Sequence, residues 1–290
     1  MIHTFTLVTV TYRGDFALFK DLCDSIDLLM PGIEHHVLVD HSDVALFKPF
    51  ESEKRKVIDC SLELPNYHEL NIGKRRLWWR WPGTIVRGWI YQQLIKIHYV
   101  MKLKADAAVI VDSDAVFVRA IEEGDLFEDG AIKLYKCPGK PSGPVYQSDT
   151  WHDVASQALG LEPRGYTGAD YISTAVTWSP AVLQEMVGLV ERVSGKSWDK
   201  VLTKSFRFSE YVLYGVFCEH VEGAHKQNVA PTTQELCHCS WGYDFSSDSD
   251  RKQFVGDLQS HHRAVLIQSK LGMPKSKRQE LLREFNAVGS

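Results

Sequence analysis

The chain has 290 residues and a formal charge of −4, from 33 Lys and Arg against 37 Asp and Glu. That length allows one large α/β unit or two small domains, and the acidic balance argues against a general nucleic-acid binder. Hydrophobic residues at 44% and charged residues at 24% exclude disordered, collagen-like and coiled-coil classes. No apolar run reaches the ~18 residues of a membrane span, and the start lacks the basic and apolar regions of a signal peptide. A cytoplasmic protein without a transmembrane segment is expected. The six cysteines are irregularly spaced, so reduced thiols are expected, and Cys237-His238-Cys239 has no second pair at zinc-site spacing.

In chain order, Phe5 to Thr11 reads as a strand and Phe16 to Met30 as a helix ending at Pro31-Gly32. His36 to Val39 and Lys56 to Ile58 predict two more strands, giving a βαβ opening, followed by an irregular segment of polar and aromatic residues. Thr84 to Met101 has helical periodicity, and Ala107 to Val111 is apolar enough for a buried strand ending at Asp112-Ser113-Asp114. Further strands are expected at Ile132 to Tyr135, Ile172 to Trp178 and Gln234 to Cys237. Helices are expected at Ser179 to Val193, near Glu210 to Glu219 and at Lys275 to Glu284. Cys137 to Pro144 reads as a loop.

Ligands of open α/β sheets bind beyond the carboxyl ends of the strands, and Asp112 and Asp114 stand at such an end. Their hard oxygens suit Mg²⁺ or Mn²⁺ carrying a diphosphate. With this motif, VDSDAVF, the preceding helix GWIYQQLIKI and the later YISTAVTWSP, SEYVLYG and HCSW segments, the chain resembles the GT-A glycosyltransferases, as a bacterial branch of that superfamily. The resemblance implies an α/β fold, a Rossmann-type mixed sheet flanked by helices. It implies a single domain over 1–290, with a nucleotide-sugar-binding half at 1–118 and an acceptor-binding half at 119–290. It further implies that Asp112 and Ser113 contact the nucleotide, that Asp112 and Asp114 serve the metal, and that a C-terminal histidine completes the metal site. His238 is the choice, with His261 and His262 competing.

From Leu70 to Ala105 there is no acid, while Lys74, Arg75, Arg76, Arg80, Arg87, Lys96, Lys102 and Lys104 are basic and four of the eight tryptophans fall here. Such a segment suits a nucleoside diphosphate, and Arg87, Gln92 and Lys96 are the expected contacts. Gln93 and Trp89 lie beside that helix face. Thr9, Thr11, Tyr12 and Asp40, at the ends of the first two strands, stand where a nucleoside would sit. There is no dinucleotide fingerprint and no P-loop, so oxidoreductase and kinase readings lose support. Glu210 follows a helix-capping Ser209, and either stabilises its helix or, as the resemblance implies, is catalytic or binds the sugar; Asp170 is a second candidate catalytic acid, contacting the acceptor or the donor sugar.

The expected activity is transfer of a sugar from a nucleotide-sugar donor to a hydroxyl of a glycan or lipid-linked acceptor, in polysaccharide biosynthesis. A lipid-linked acceptor would place the protein peripherally at the inner membrane face. The alternatives are a nucleotidyltransferase acting on a sugar phosphate and a non-catalytic glycan- or nucleic-acid-binding protein.

Overall fold

All five residues of Ala107–Val111 are fully buried, the pattern of a strand covered on both faces. In the computed structural model, which describes residues 3–72, 75–139, 148–163, 168–205 and 207–289, this strand is second in a five-stranded sheet. The order is Ala175–Trp178, Ala107–Val111, Phe5–Thr11, Glu34–Val39, Arg55–Asp59. All neighbours are parallel except the first pair, in which Ala175 to Trp178 run antiparallel to Val111 to Ala108. A strand from the second half of the sequence therefore completes the sheet of the first half.

The alternation of strand side chains divides the core into two layers. Leu7, Val37, Val109 and Val111 pack with Phe19, Leu22 and Ile26 of the helix Phe16–Leu29. Val8, Leu38, Ala108 and Ile110 face the helices Gly88–Val100, Pro180–Ser194 and Glu210–His220. The helix Pro180–Ser194 has the punctuation its sequence carries. Ser179 Oγ accepts from Val182 N at 3.4 Å, Pro180 occupies the first turn, and Gly195 closes the helix in the left-handed region at φ 64°. A small sheet of Cys237–Cys239, Ala264–Leu266 and Ala115–Phe117 rests against the helices Asp248–Gly256 and Lys275–Gly289.

Five expectations are corrected. The helix expected from Thr84 begins at Gly88, because the β-branched Thr84-Ile85-Val86 pairs antiparallel with Trp78, Trp79 and Arg80. The irregular aromatic segment is a three-stranded antiparallel sheet of His68–Ile72, Arg75–Arg80 and Thr84–Arg87. The short strand expected at Gln234 to Cys237 is Cys237–Cys239 instead, so His238 lies inside it. Strand Ile172 to Trp178 is shorter than expected, beginning at Ala175. The expected loop Cys137 to Pro144 starts with a two-residue strand paired to Ala169–Asp170; residues 140–144, like Lys74, lie outside the described residues.

Gly215 sits where the helix Glu210–His220 crosses Tyr171, and a Cβ there would fall on the Tyr171 ring, which is itself held by a hydrogen bond from its hydroxyl to Glu219. Gly215→Ala should destabilise the protein by about 1–2 kcal/mol in urea denaturation, because overpacking outweighs the ~1 kcal/mol helix preference for alanine. An unchanged or raised stability would show that Tyr171 moves aside freely.

Candidate active site

The strand Ala107–Val111 delivers Asp112, Ser113 and Asp114 beyond its carboxyl end. Their turn is fixed by Asp112 N donating to Thr174 O at 3.1 Å and Ala115 N donating to Asp112 O at 3.1 Å. Ser113 Oγ donates to Asp15 Oδ2 at 3.2 Å, bringing a third carboxylate from the end of the first strand's loop. Asp114 Oδ2 accepts from Ser269 N at 2.9 Å. Buried Arg278, from the C-terminal helix, donates to Asp114 O at 2.9 Å and to Ile267 O at 2.7 Å. The acidic turn is therefore held from both ends of the sequence.

Lys96 reaches this turn from the helix Gly88–Val100, which is buried on nearly all sides because it lies between the sheet and the helix Glu210–His220. Its ammonium lies 3.1 Å from Glu210 Oε1, 2.9 Å from the Tyr211 hydroxyl and 3.7 Å from Asp112 Oδ1. Only 11% of the Lys96 side chain and 4% of that of Glu210 touch water. One turn back along the Lys96 helix, buried Gln93 accepts from Glu210 N through Oε1 at 3.0 Å. Ser209 caps the second helix by accepting from Val212 N at 3.4 Å. Glu210 thus gains both a cation and a helix N-terminus.

Asp112 and Glu210 meet this lysine, and Asp15 and Asp114 stand at the same acidic turn. Burial pushes the Asp112 carboxyl up to about 6, with Asp114, Glu210 and Asp15 adding to the rise and Lys96 opposing it. Asp112 is surrounded by neighbouring protein, yet 44% of its side chain reaches water. Burial also raises Asp15, reinforced by Asp114 and opposed by Ser113. For Lys96 burial favours the neutral amine, but Tyr211, Glu210 and Asp112 together outweigh it and hold the ammonium.

A second cluster lies at the end of Glu34–Val39. Arg76, from the three-stranded sheet, donates to Asp40 Oδ2 at 2.7 Å and Asp43 Oδ2 at 3.2 Å, and pairs with Glu69 at 3.0 Å. Arg13 binds Asp43 Oδ1 at 2.6 Å. Burial, with Glu69 and Asp43, lifts Asp40 to about 6 against the pull of Arg76. Tyr12 is exposed between the two clusters; Asp15 first, then burial and Asp114, raise its phenol, while Arg76 opposes.

The remaining expected residues are placed as follows. Thr9 is buried with its hydroxyl 3.0 Å from His35 Nε2, and Thr11 is buried at the strand end. Gln92 is half-buried on the flank of its helix, and it is Gln93 that meets Glu210. Arg87 is exposed on the edge strand, opposite Leu77. Asp170 lies in the short strand Ala169–Asp170 and accepts from Ile172 N at 3.0 Å. His238 is not brought to the acidic turn. Its Nε2 donates to Phe254 O at 2.7 Å and its ring stacks on Phe254 and His262, because alternation along Cys237–Cys239 turns it away from the face of Cys237. His262 accepts from Gln259 N at 2.9 Å and packs in the same cluster, with His261 beside it. Among the described residues no group of three or more His, Cys, Asp or Glu is arranged to hold a metal. A groove of about 690 Å³ lined by Thr4, Glu34, His36, Tyr99 and Lys102 lies at the opposite, amino end of the strands.

Asp15, Gln93, Tyr211 and Arg278 are the contributors that sequence reasoning missed; only Gln93 carried a signal, three residues before Lys96 on one helix face. Lys96→Met should cost ~3–5 kcal/mol in chemical denaturation, because it strands a buried carboxylate. Adding Glu210→Gln to that variant should recover part of the loss. Strict additivity of the two changes would show that the pair is not coupled.

A model of a family described as "Family of unknown function (DUF6492)" matches residues 4–290. The search of curated proteins found no match. Among solved structures, the chain is similar to the apo form of mouse xyloside xylosyltransferase 1, at 14% identity and a TM-score of 0.49, over 93% of this chain and 99% of that one. It is also similar to an active-site mutant of LgtC, at 10% identity and a TM-score of 0.46, over 96% of this chain and 95% of that one. With nearly its whole length matched, the chain belongs to the DUF6492 family, a family of unknown function.

Proposed function

We propose that the chain is a metal-dependent glycosyltransferase of the GT-A type, moving a sugar from a nucleoside-diphosphate sugar to a hydroxyl of a glycan or lipid-linked acceptor. The observation that carries this reading is the acidic turn Asp112-Ser113-Asp114 at the carboxyl end of a central buried strand, with the Lys96 ammonium 3.7 Å from Asp112. Burial first, then neighbouring carboxylates, raises proton affinity at Asp112 and Asp15, and a divalent cation would relieve the repulsion among those carboxylates. The donor set fits Mg²⁺ or Mn²⁺, hard ions commonly held by one or two carboxylates together with substrate phosphates. Asp112 and Asp114 would hold it, and the ion would neutralise charge on the departing diphosphate.

The protein's own groups supply the rest. Lys96 offers a fixed ammonium beside the diphosphate, where charge develops as the sugar leaves. Glu210 and Gln93 orient Lys96 and its helix, so Glu210 acts on the donor side as a positioning residue. Asp40 is a hydrogen-bond acceptor for ribose or base, and Arg76, still held by Asp43 and Glu69, would turn its freed guanidinium nitrogen toward phosphate oxygens. Tyr12 offers an exposed ring between the two clusters. Asp170 is left as the acceptor-side carboxylate. His238, buried against Phe254, is assigned to packing.

The test is product release from nucleotide sugars in Mn²⁺ or Mg²⁺. The wild type should release nucleoside diphosphate, and Asp114→Ala and Lys96→Met should each lower turnover by ~10²–10³. Folded Asp114→Ala with full turnover in chelator would overturn the metal assignment. Pyrophosphate as the product would assign nucleotidyl transfer instead.

A further inference from the structure

The three-stranded sheet of His68–Ile72, Arg75–Arg80 and Thr84–Arg87 has an inner and an outer face. Inward, Trp78 stacks on Tyr91 at 4.6 Å between ring centroids, Val86 is fully buried, Glu69 and Arg76 pair with one another, and Arg80 binds Asp199. An antiparallel sheet packed on one side ordinarily shows water a polar second face. Among the described side chains the outward positions are His68, Leu70, Ile72, Leu77, Trp79, Ile85 and Arg87, five of them apolar and none acidic.

The ladder makes these side chains contiguous. Leu70 is opposite Leu77, and Leu77 opposite Arg87; His68 is opposite Trp79, and Trp79 opposite Ile85. Trp79 meets Trp81 edge to face at 6.1 Å, and Trp81, in the following turn, is 75% exposed. Leu70, Ile72 and Ile85 are exposed as well. In the sequence this patch adjoins Lys74-Arg75-Arg76, within the stretch from Leu70 to Ala105 that has no acid. Arg76 and Arg80 are spent inward, whereas Arg87 stands exposed at the apolar rim.

We propose that this outward face docks on an anionic phospholipid surface. Tryptophan favours the interfacial zone of a bilayer, aliphatic side chains enter the acyl boundary, and a rim cation is drawn to anionic headgroups. A glycan platform fits less well: such a face needs carboxylates and amides to bind hydroxyls, and this one offers aliphatic side chains and no acid. Docking does not depend on the proposed sugar transfer. It would place the cleft beside the bilayer, since the same sheet holds Arg76 against Asp40.

The experiment is co-sedimentation of the full chain, without nucleotide sugar, with vesicles of phosphatidylcholine alone or mixed with phosphatidylglycerol. Wild type should bind the mixed vesicles, more weakly as salt is raised, and should bind phosphatidylcholine poorly. The double variant Trp81→Ser with Ile85→Ser should lose about tenfold or more in affinity, and Arg87→Glu should lose the preference for the anionic lipid. Unchanged thermal midpoints will establish that the variants fold. Absence of wild-type binding, equal binding by the folded double variant, or equal binding to both lipids would overturn the proposal. Retention on immobilised polysaccharide without vesicle binding would assign the face to glycans and overturn it too.

Discussion

The Lys96 ammonium, almost sealed from water between Glu210 and Asp112, is the interaction on which the arrangement of this cleft depends. Desolvating a lysine and a glutamate costs several kcal/mol per ion, and the attraction between them offsets this only when every remaining donor and acceptor is satisfied. The Tyr211 hydroxyl and Asp112 take up the other directions of the ammonium, and Gln93 and Ser209 hold the backbone that carries Glu210. Loss of any one of these partners leaves the others with uncompensated polarity. That is why two helices and the end of a central strand meet in one register.

The pair also sets the electrostatic character of the cleft. Lys96 meets Glu210 and Asp112, Arg278 stands at Asp114, and Asp112 and Asp15 are left with proton affinities raised first by burial and then by neighbouring carboxylates. Positive charge is supplied from the side by Arg76 and Arg13, each bound to carboxylates. The nucleoside diphosphate proposed above would exchange these internal pairs for its own.

Much of this was readable in the sequence, and the reasons are local. Ala107 to Val111 is uniformly apolar, which marks a central strand, and an acid pair just after it marks the ligand end of the sheet. The first βαβ unit and the helix Pro180–Ser194 announce themselves through periodicity and end residues. What sequence reasoning could not supply was long-range pairing. Asp15 meets Ser113 across 98 residues, and Gln93 meets Glu210 across 117. The choice of Gln92 rested on a helix face drawn through Gly88; that Gln93 meets the backbone of Glu210 depends on how the expected helix there packs, which sequence does not show. The strand at Thr84–Arg87 was hidden because its apolar residues also fit a 3.6 period. His238 was misplaced by one strand position, enough to move a side chain from one face to the other.

The bond from Arg278 to the carbonyl of Asp114 spans 164 residues. During synthesis the sheet, the acidic turn and Lys96 are all made before this guanidinium exists. The turn therefore spends the whole interval of translation between the two residues without this bond. Because a nascent chain elongates at ~5–20 residues per second, that interval is at least several seconds, far longer than a helix needs to form. Assembly of the cleft is thus ordered in time by the position of one arginine in the gene.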